Sequence, residues 1–310
     1  MTEKVRLGNS DLYVHPIGLG TNAVGGHNLY PNLDEEEGKM LVKTAVDHGI
    51  TMIDTAYMYG VGRSEELIGE VLKQYDLRQE VVIATKISPI ITEEGVRHNN
   101  TPAFLREETE RSLLRLQTDY IDLMYIHYPD EATPKAEAIG ELYRLKEEGK
   151  IRAIGVSNFS LPQLKEANAD GHVDVFQGKY NLFDRGAESE LFPYVADQGI
   201  SFIPYFPLAS GLLTGKYKGH ETFEDLRAGN PLFKGDTFKK NAAKVHQLRP
   251  IAEAKGVDIA HLVLAWYLTY DIIDVIIPGA KTSEQVLDNL ETVNVQLTDE
   301  EIREIDRIFN

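Results

Sequence analysis

Eight short apolar runs, each followed by a helical pattern, constrain this 310-residue chain more than any other feature. They fall at residues 16–20, 50–53, 81–86, 121–127, 151–156, 173–177, 200–205 and 272–277. Near-continuous runs of this length read as strands buried on both faces, which is the state of a parallel sheet covered by helices. Between them, apolar residues recur at helical spacing: Met40, Leu41, Ala45 and Val46; Leu67, Ile68, Val71 and Leu72; Ile139, Leu142 and Leu145. The class is α/β, and a count of eight predicts a closed (β/α)8 TIM barrel rather than an open doubly wound sheet. Residues 4–7 and 11–14 flank Gly8-Asn9, a turn dipeptide for an N-terminal β-hairpin, and residues 298–309 form an extra C-terminal helix. Helices are expected over 101–116, opened by Thr-Pro as cap and first-turn proline, over 134–148, near 240–254 and over 259–269. No Pro/Ser-rich linker or shift of composition divides the chain, so residues 1–310 are expected to form one domain.

Composition excludes several functions. Thirty-two basic against 49 acidic residues leave a net charge of −17, a poor surface for nucleic acid or anionic membrane. Any anionic ligand must be held by a few local cations and backbone N–H groups. The absence of cysteine removes disulfides, thiolate metal sites and cysteine nucleophiles, and suits a reducing cytoplasm. No signal-like start and no membrane-length apolar run is present. The nine histidines show no ligand spacing, so no metal is expected.

In a barrel of this kind, reactive groups project from the carboxyl ends of the strands. The second strand ends in Asp54-Thr55-Ala56-Tyr57-Met58-Tyr59-Gly60, the third at Lys86 and the fourth at His127, within Tyr125-Ile126-His127-Tyr128-Pro129-Asp130. A carboxylate, a phenol, an ammonium and an imidazole therefore meet at one mouth. A phenol, with an ordinary pKa of about 10, becomes a useful proton donor only where neighbours retune it. Each residue also has a plain reading: Asp54 as a helix cap, Lys86 as a solvated strand end, His127 as a structural histidine, Tyr59 as rim packing. Four such accidents at neighbouring strand ends are far less probable than one site.

Asp-Thr-Ala-x-x-Tyr-Gly, the strand-terminal Thr85-Lys86, Ile126-His127-x-Pro129-Asp130 and Gly-Val-Ser-Asn-Phe at 155–159 together resemble the aldo-keto reductases over about residues 7–306. The pattern is similar to the long bacterial branch related to inositol-operon reductases and potassium-channel β subunits. The resemblance implies reversible NADP(H)-dependent reduction of aldehydes or ketones. Tyr59 would donate the proton, Lys86 paired with Asp54 would lower the tyrosine pKa, and His127 would orient the carbonyl. It further implies that Ser157, Asn158 and Gln177 hold the nicotinamide carboxamide and that Tyr205 stacks on its ring. Gly20, Thr21, Asn22 and Asp54 would lie against the nicotinamide, with Asn22 also at the substrate. Pro207, Leu208, Ser210, Gly211, Lys216 and Arg227 would belt the pyrophosphate. Gly279, Lys281, Gln285 and Asn289 would hold the adenosine end, with Lys281 on a 2′-phosphate. Gln285 stands where shorter-chain members carry arginine, so the preference for NADPH over NADH is expected to be modest. Arg185 matches a pattern of this branch without an implied role.

Two glycine motifs are decoys. Gly18-Leu19-Gly20-Thr21-Asn22-Ala23 fits a dinucleotide fingerprint, but Gly25-Gly26-His27-Asn28 and Pro31 follow where a helix would have to start. Gly211 to Lys216 is one residue short of a P-loop. Substrate choice is expected in loops 22–33, 88–100 and 218–237, with Asn22, Tyr57, Tyr59, His127 and Tyr128 facing a small carbonyl compound. Aromatics in or near these loops (Tyr30, Tyr57, Tyr128, Phe223, Phe233) imply a partly apolar pocket, and 218–237 is long enough for a lid. Two other readings stay open at this stage: an NADPH-binding redox sensor with slow turnover, and a Schiff-base aldolase using Lys86.

Overall fold

The computed structural model describes residues 2–30 and 32–310; Met1 and Pro31, the latter one of the residues read above as barring a helix, lie outside the described residues. The N-terminal hairpin pairs β1 (Val5–Arg6) with β2 (Tyr13–Val14), placing Val5 opposite Val14. Leu7, Leu12 and Val14 are buried in one apolar cluster with Met52, Val82, Ala84, Leu123, Tyr125, Ala153, Val175, Ile203, Val275 and Ile277. Most of these are alternate residues of successive strands, so they mark the inner face of the sheet. The hairpin is seated against it, with Gly8 N donating to Ser201 Oγ at 2.6 Å.

The parallel sheet runs β3 (Leu19–Gly20), β4 (Met52–Asp54), β5 (Val82–Ile87), β8 (Ile121–Ile126), β9 (Ile151–Ser157), β10 (Val175–Lys179) and β11 (Ser201–Tyr205) in spatial order. It curls so that both edges bond to the segment 272–279, where a full eighth strand was expected. That segment makes isolated bridges instead, Ile17 with Ile276 and Gly20 with Gly279. On the other edge Phe202 N donates to Ile272 O at 2.7 Å, and Ser201 Oγ donates to the Asp274 carboxylate. Side chains along the hairpin seam thus take up part of the edge that a backbone ladder would occupy. A Cβ on Gly20 would stand 2.8 Å from Ile277 O, so glycine permits this close approach.

The helices are α1 (Glu35–Asp47), α2 (Arg63–Gln74), α3 (Pro102–Leu116), α4 (Lys135–Glu147), α5 (Leu161–Ala167), α6 (Leu191–Gln198), α7 (Gly235–His246), α8 (Arg249–Lys255), α9 (Ile259–Tyr267), α10 (Ser283–Leu290) and α11 (Asp299–Phe309). Their apolar faces and the outer face of the sheet make a second, larger cluster. None of the described helices is long and apolar enough to cross a membrane. Three expectations change. The helix near 240–254 is two, broken at Gln247-Leu248, because Pro250 has no N–H to donate to the carbonyl of His246 and its ring crowds that carbonyl. Thr101 does not cap α3 through its side chain; its N and Oγ1 both donate to Asn99 Oδ1, at 3.0 and 2.8 Å. Loop 88–100 contains a second hairpin, β6 (Pro89–Thr92) with β7 (Gly95–His98).

Packing inside the sheet is tight around Tyr125. A Cβ on Gly155 would lie 2.3 Å from the Tyr125 ring. Gly155→Ala is therefore expected to destabilise the fold by about 1–3 kcal/mol through overpacking, read as a lower urea midpoint at unchanged slope.

Candidate active site

Asp54 is the last residue of β4 and Lys86 the penultimate residue of the neighbouring β5. Lys86 Nζ donates to Asp54 Oδ1 at 2.6 Å and to Thr55 O at 2.7 Å. From β10, Gln177 Nε2 donates to the other carboxylate oxygen, Oδ2, at 2.9 Å. Both charged side chains are sealed from solvent, at 0% and 2% exposure. Burial pushes the Lys86 pKa down, and Asp54 pulls it back up. Desolvating two ions is costly, and only the mutual attraction and these bonds offset it.

Tyr59 lies in the loop that follows, with its ring centre 5.5 Å from Lys86 Nζ. The loop is fixed by backbone bonds, Thr55 N to Ala84 O and Tyr57 N to Lys86 O. It is also clamped by Asn28, whose Oδ1 accepts from Gly60 N at 2.7 Å and whose Nδ2 donates to Met58 O at 2.9 Å. The Tyr59 pKa shifts opposite to the sequence expectation: burial first, and then the facing Asp54, raise it on balance. The lysine's charge is already engaged by Asp54 and the Thr55 carbonyl, so it does not dominate the phenol. At neutral pH the hydroxyl keeps its proton.

His127 follows β8, held by its N–H to Ile87 O and by Asn158 Nδ2 donating to its carbonyl at 3.0 Å. Burial, then Lys86 and His98, hold its pKa well below the usual value, so the imidazole is neutral. Its ring stacks on Tyr128 at 4.8 Å.

The groups expected along a nicotinamide divide. Asn158, at a left-handed φ of 62°, donates to Ser157 Oγ at 3.0 Å and accepts from Tyr205 OH at 2.8 Å. Tyr205 is thereby oriented, and it meets Phe206 edge-on at 5.5 Å. Gln177 joins them, although its amide nitrogen serves Asp54. Gly20 and Asn22 reach the same rim, with Asn22 Oδ1 3.1 Å from a Cβ built on Gly279. Thr21 does not: it is buried behind the site, its hydroxyl bonded to Asp54 O and Ser64 Oγ. Tyr57 turns outward beneath Arg115, 5.0 Å away.

On the phosphate side, Pro207 O accepts from Tyr267 OH at 2.7 Å, and Leu208 leads into a turn where Ser210 and Gly211 have φ of 56° and 87°. Lys216 Nζ lies 3.4 Å from a Cβ built on Gly211, within the same turn. Arg227 is not a free cation, because Asp225 neutralises it and Tyr217 OH takes a further bond at 2.5 Å. Phe223 and Phe233 do not face a pocket; they pack with Tyr217 and Phe238 into an aromatic cluster that anchors the 218–237 segment. Lys281 Nζ sits 4.6 Å over the Tyr30 ring, in a cavity of about 320 Å³ shared with Asp34, Glu37 and Asp225. Gln285 Oε1 accepts from Lys281 N at 2.8 Å, and Asn289 is half-buried one turn further along α10. Arg185 is structural, paired with Glu188 and Asp306 beside Trp266.

With the geometry in place, the profile of the Aldo/keto reductase family matches residues 16–310. The chain belongs to the aldo/keto reductase family. It is 38% identical to Aldo-keto reductase YhdN of Bacillus subtilis (strain 168) over 99% of this chain and 93% of that protein. It is 35% identical to the NADH-specific methylglyoxal reductase of Escherichia coli (strain K12), over 96% and 95% of the two. Among solved structures, the glycerol dehydrogenase AKR11B4 from Gluconobacter oxydans superposes with a TM-score of 0.91 at 35% identity, covering 99% of this chain and 94% of its own. Aldo/keto reductases are oxidoreductases that use nicotinamide cofactors.

Three residues near the site escaped the sequence reading. Asn28 is a side chain in a glycine-rich loop with no local signal for its clamp. Glu65 is buried, accepting from Thr85 Oγ1 at 2.7 Å and paired with Arg115 at 2.5 Å, directly behind Lys86 on β5. His98 closes β7, whose exposed strand lacks the buried run that marks the strands of the parallel sheet.

Proposed function

We propose that the protein is one (β/α)8 domain, closed by the 272–279 segment, that reduces small aldehydes or ketones with NADPH. The observation that carries this reading is the phenol of Tyr59 beside the buried Lys86–Asp54 pair, with neutral His127 at the next strand end. The oriented Tyr205 ring, Asn158, Ser157 and the Oε1 of Gln177, which has no partner among the described residues, fit a nicotinamide and its carboxamide. Lys216 and the turn at Pro207, Leu208, Ser210 and Gly211 fit a pyrophosphate.

When bound, the dinucleotide supplies a hydride to the carbonyl carbon. His127 holds the carbonyl oxygen by an N–H donor, and Tyr59 gives that oxygen its proton as negative charge develops there. The phenolate left behind faces Lys86, whose charge stabilises it. Asp54 and Gln177 keep the ammonium in place. Relatives named for methylglyoxal and glycerol support a small substrate. Mixing the protein with NADPH and an activated aldehyde tests the reading: steady loss of nicotinamide absorbance supports a reductase. Binding without consumption supports the redox-sensing alternative.

NADPH is favoured over NADH because Lys281 is available at the adenosine end, although Asp34, Glu37 and Asp225 line the same cavity and oppose a phosphate. Lys281→Ala is expected to weaken NADPH about tenfold, near 1.4 kcal/mol, with NADH changed much less. Equal weakening of both in fluorescence titrations would remove the 2′-phosphate assignment.

A further inference from the structure

The β6–β7 hairpin follows β5 directly, so His98 at its end is delivered to the same mouth as Lys86. Its ring stacks on Tyr128 at 4.9 Å and 29°, and Tyr128 stacks in turn on His127 at 4.8 Å and 28°. The column is held from both ends of the hairpin: Ser88 Oγ and Asn100 Nδ2 donate to the Tyr128 carbonyl, at 2.8 and 3.1 Å. Both imidazoles have a buried Nδ1 with no partner among the described residues. Among the described residues neither Nε2 is buried without a partner, so Nε2 is the accessible nitrogen of each ring. A proton on Nε2 leaves a lone pair, rather than an unpaired N–H, on the dry side, the less costly arrangement.

The charge of this mouth is also informative. Burial lowers the pKa of His98 below its usual value, and that of His127 further. Both rings are therefore neutral near pH 7, and the Lys86 charge is enclosed with Asp54. Each ring therefore offers a neutral N–H donor, and among the described residues the cations of these segments, Lys86, Arg97 and Lys135, are each paired with a carboxylate, Asp54, Glu94 and Asp130.

We propose that His98 determines specificity: its Nε2–H binds a hydroxyl of the substrate remote from the carbonyl held at His127. The preferred substrates are then uncharged, hydroxylated carbonyl compounds, in preference to plain aliphatic aldehydes and to aldehydes carrying a carboxylate. The two imidazoles are separated by two ring-stacking steps, a span covered by a carbon chain of about four to six atoms. The inference rests on the reductase reading above and names the substrate class of that same site.

His98→Phe tests it, because phenylalanine keeps the ring on Tyr128 and removes the donor. Initial rates with erythrose, pentanal and succinic semialdehyde are compared for the wild-type and variant proteins. The wild type is expected to have its highest kcat/KM with erythrose. His98→Phe is expected to lower that value by about tenfold or more, mainly through KM, and to leave pentanal within about twofold. His98→Gln, which restores a donor, is expected to recover part of the loss. Equal losses for erythrose and pentanal would overturn the proposal by reducing His98 to support of the stack, and so would an unchanged variant. Reduction of pentanal by the wild type without preference for erythrose would overturn the substrate class while leaving the reductase intact. No turnover of any of the three would remove both.

Discussion

Tyr59→Phe is expected to lower kcat by about two to four orders of magnitude, the range for loss of a positioned general acid, while dinucleotide affinity stays within about twofold. Phenylalanine preserves the ring beside Lys86, so the cation–ring contact at 5.5 Å survives and only the hydroxyl is lost. That hydroxyl acts as charge develops on the carbonyl oxygen, so its removal belongs to kcat rather than to binding. A parallel rise in the dinucleotide Kd, measured by fluorescence titration, would mean that Tyr59 shapes the binding trough instead. The pH profile gives a second readout. Burial and the facing Asp54 raise the phenol's pKa above its ordinary value of about 10. An acid must be protonated to act, so a raised pKa keeps Tyr59 competent across the neutral range. The reduction rate is therefore expected not to fall between about pH 7 and pH 9 through loss of this proton. A strong decline there, absent from dinucleotide binding, would show that Lys86 outweighs burial and Asp54 at the phenol.

The direction in which burial and Asp54 move the Tyr59 pKa shows where a sequence stops being informative. Strand-terminal residues such as Asp54, Lys86 and His127 are legible because strand periodicity and barrel geometry assign their direction. Whether Lys86 acts first on Asp54 or on Tyr59 depends on distances of a few ångströms, which no spacing encodes. The same holds for Gln177, whose amide reaches Asp54 across 123 residues of chain. Arg227 was legible in principle, since its neutralising partner Asp225 is two residues away and both sit in one turn.

Elements were missed for a different reason. The β6–β7 hairpin is largely exposed, with Ile91 and Val96 at 42% and 49%, so it lacks the buried run that marks the barrel strands. The 272–277 run is as apolar as the others, yet its edge is completed partly by Ser201 and Asp274 side chains. Hydrophobic pattern records burial, and burial does not require a continuous ladder.

Lys86→Met separates the structural from the chemical part of the charge pair. Removing the ammonium leaves Asp54 enclosed with Gln177 as its remaining side-chain partner, and an uncompensated buried charge costs about 3–5 kcal/mol. The variant is expected to unfold at markedly lower urea and to be inactive. In Asp54→Asn/Lys86→Met the charge is gone with its partner, so most of the lost stability is expected to return, to within about 1–2 kcal/mol of the wild type. Activity is not expected to return, because no cation is left to stabilise the phenolate of Tyr59. A Lys86→Met variant as stable as the wild type would mean that Asp54 takes up a proton readily in its place, and that the pair is not held as ions. A double variant that regained turnover would show that the reaction proceeds without a charge beside the phenol, and the role given to Lys86 would fall with it.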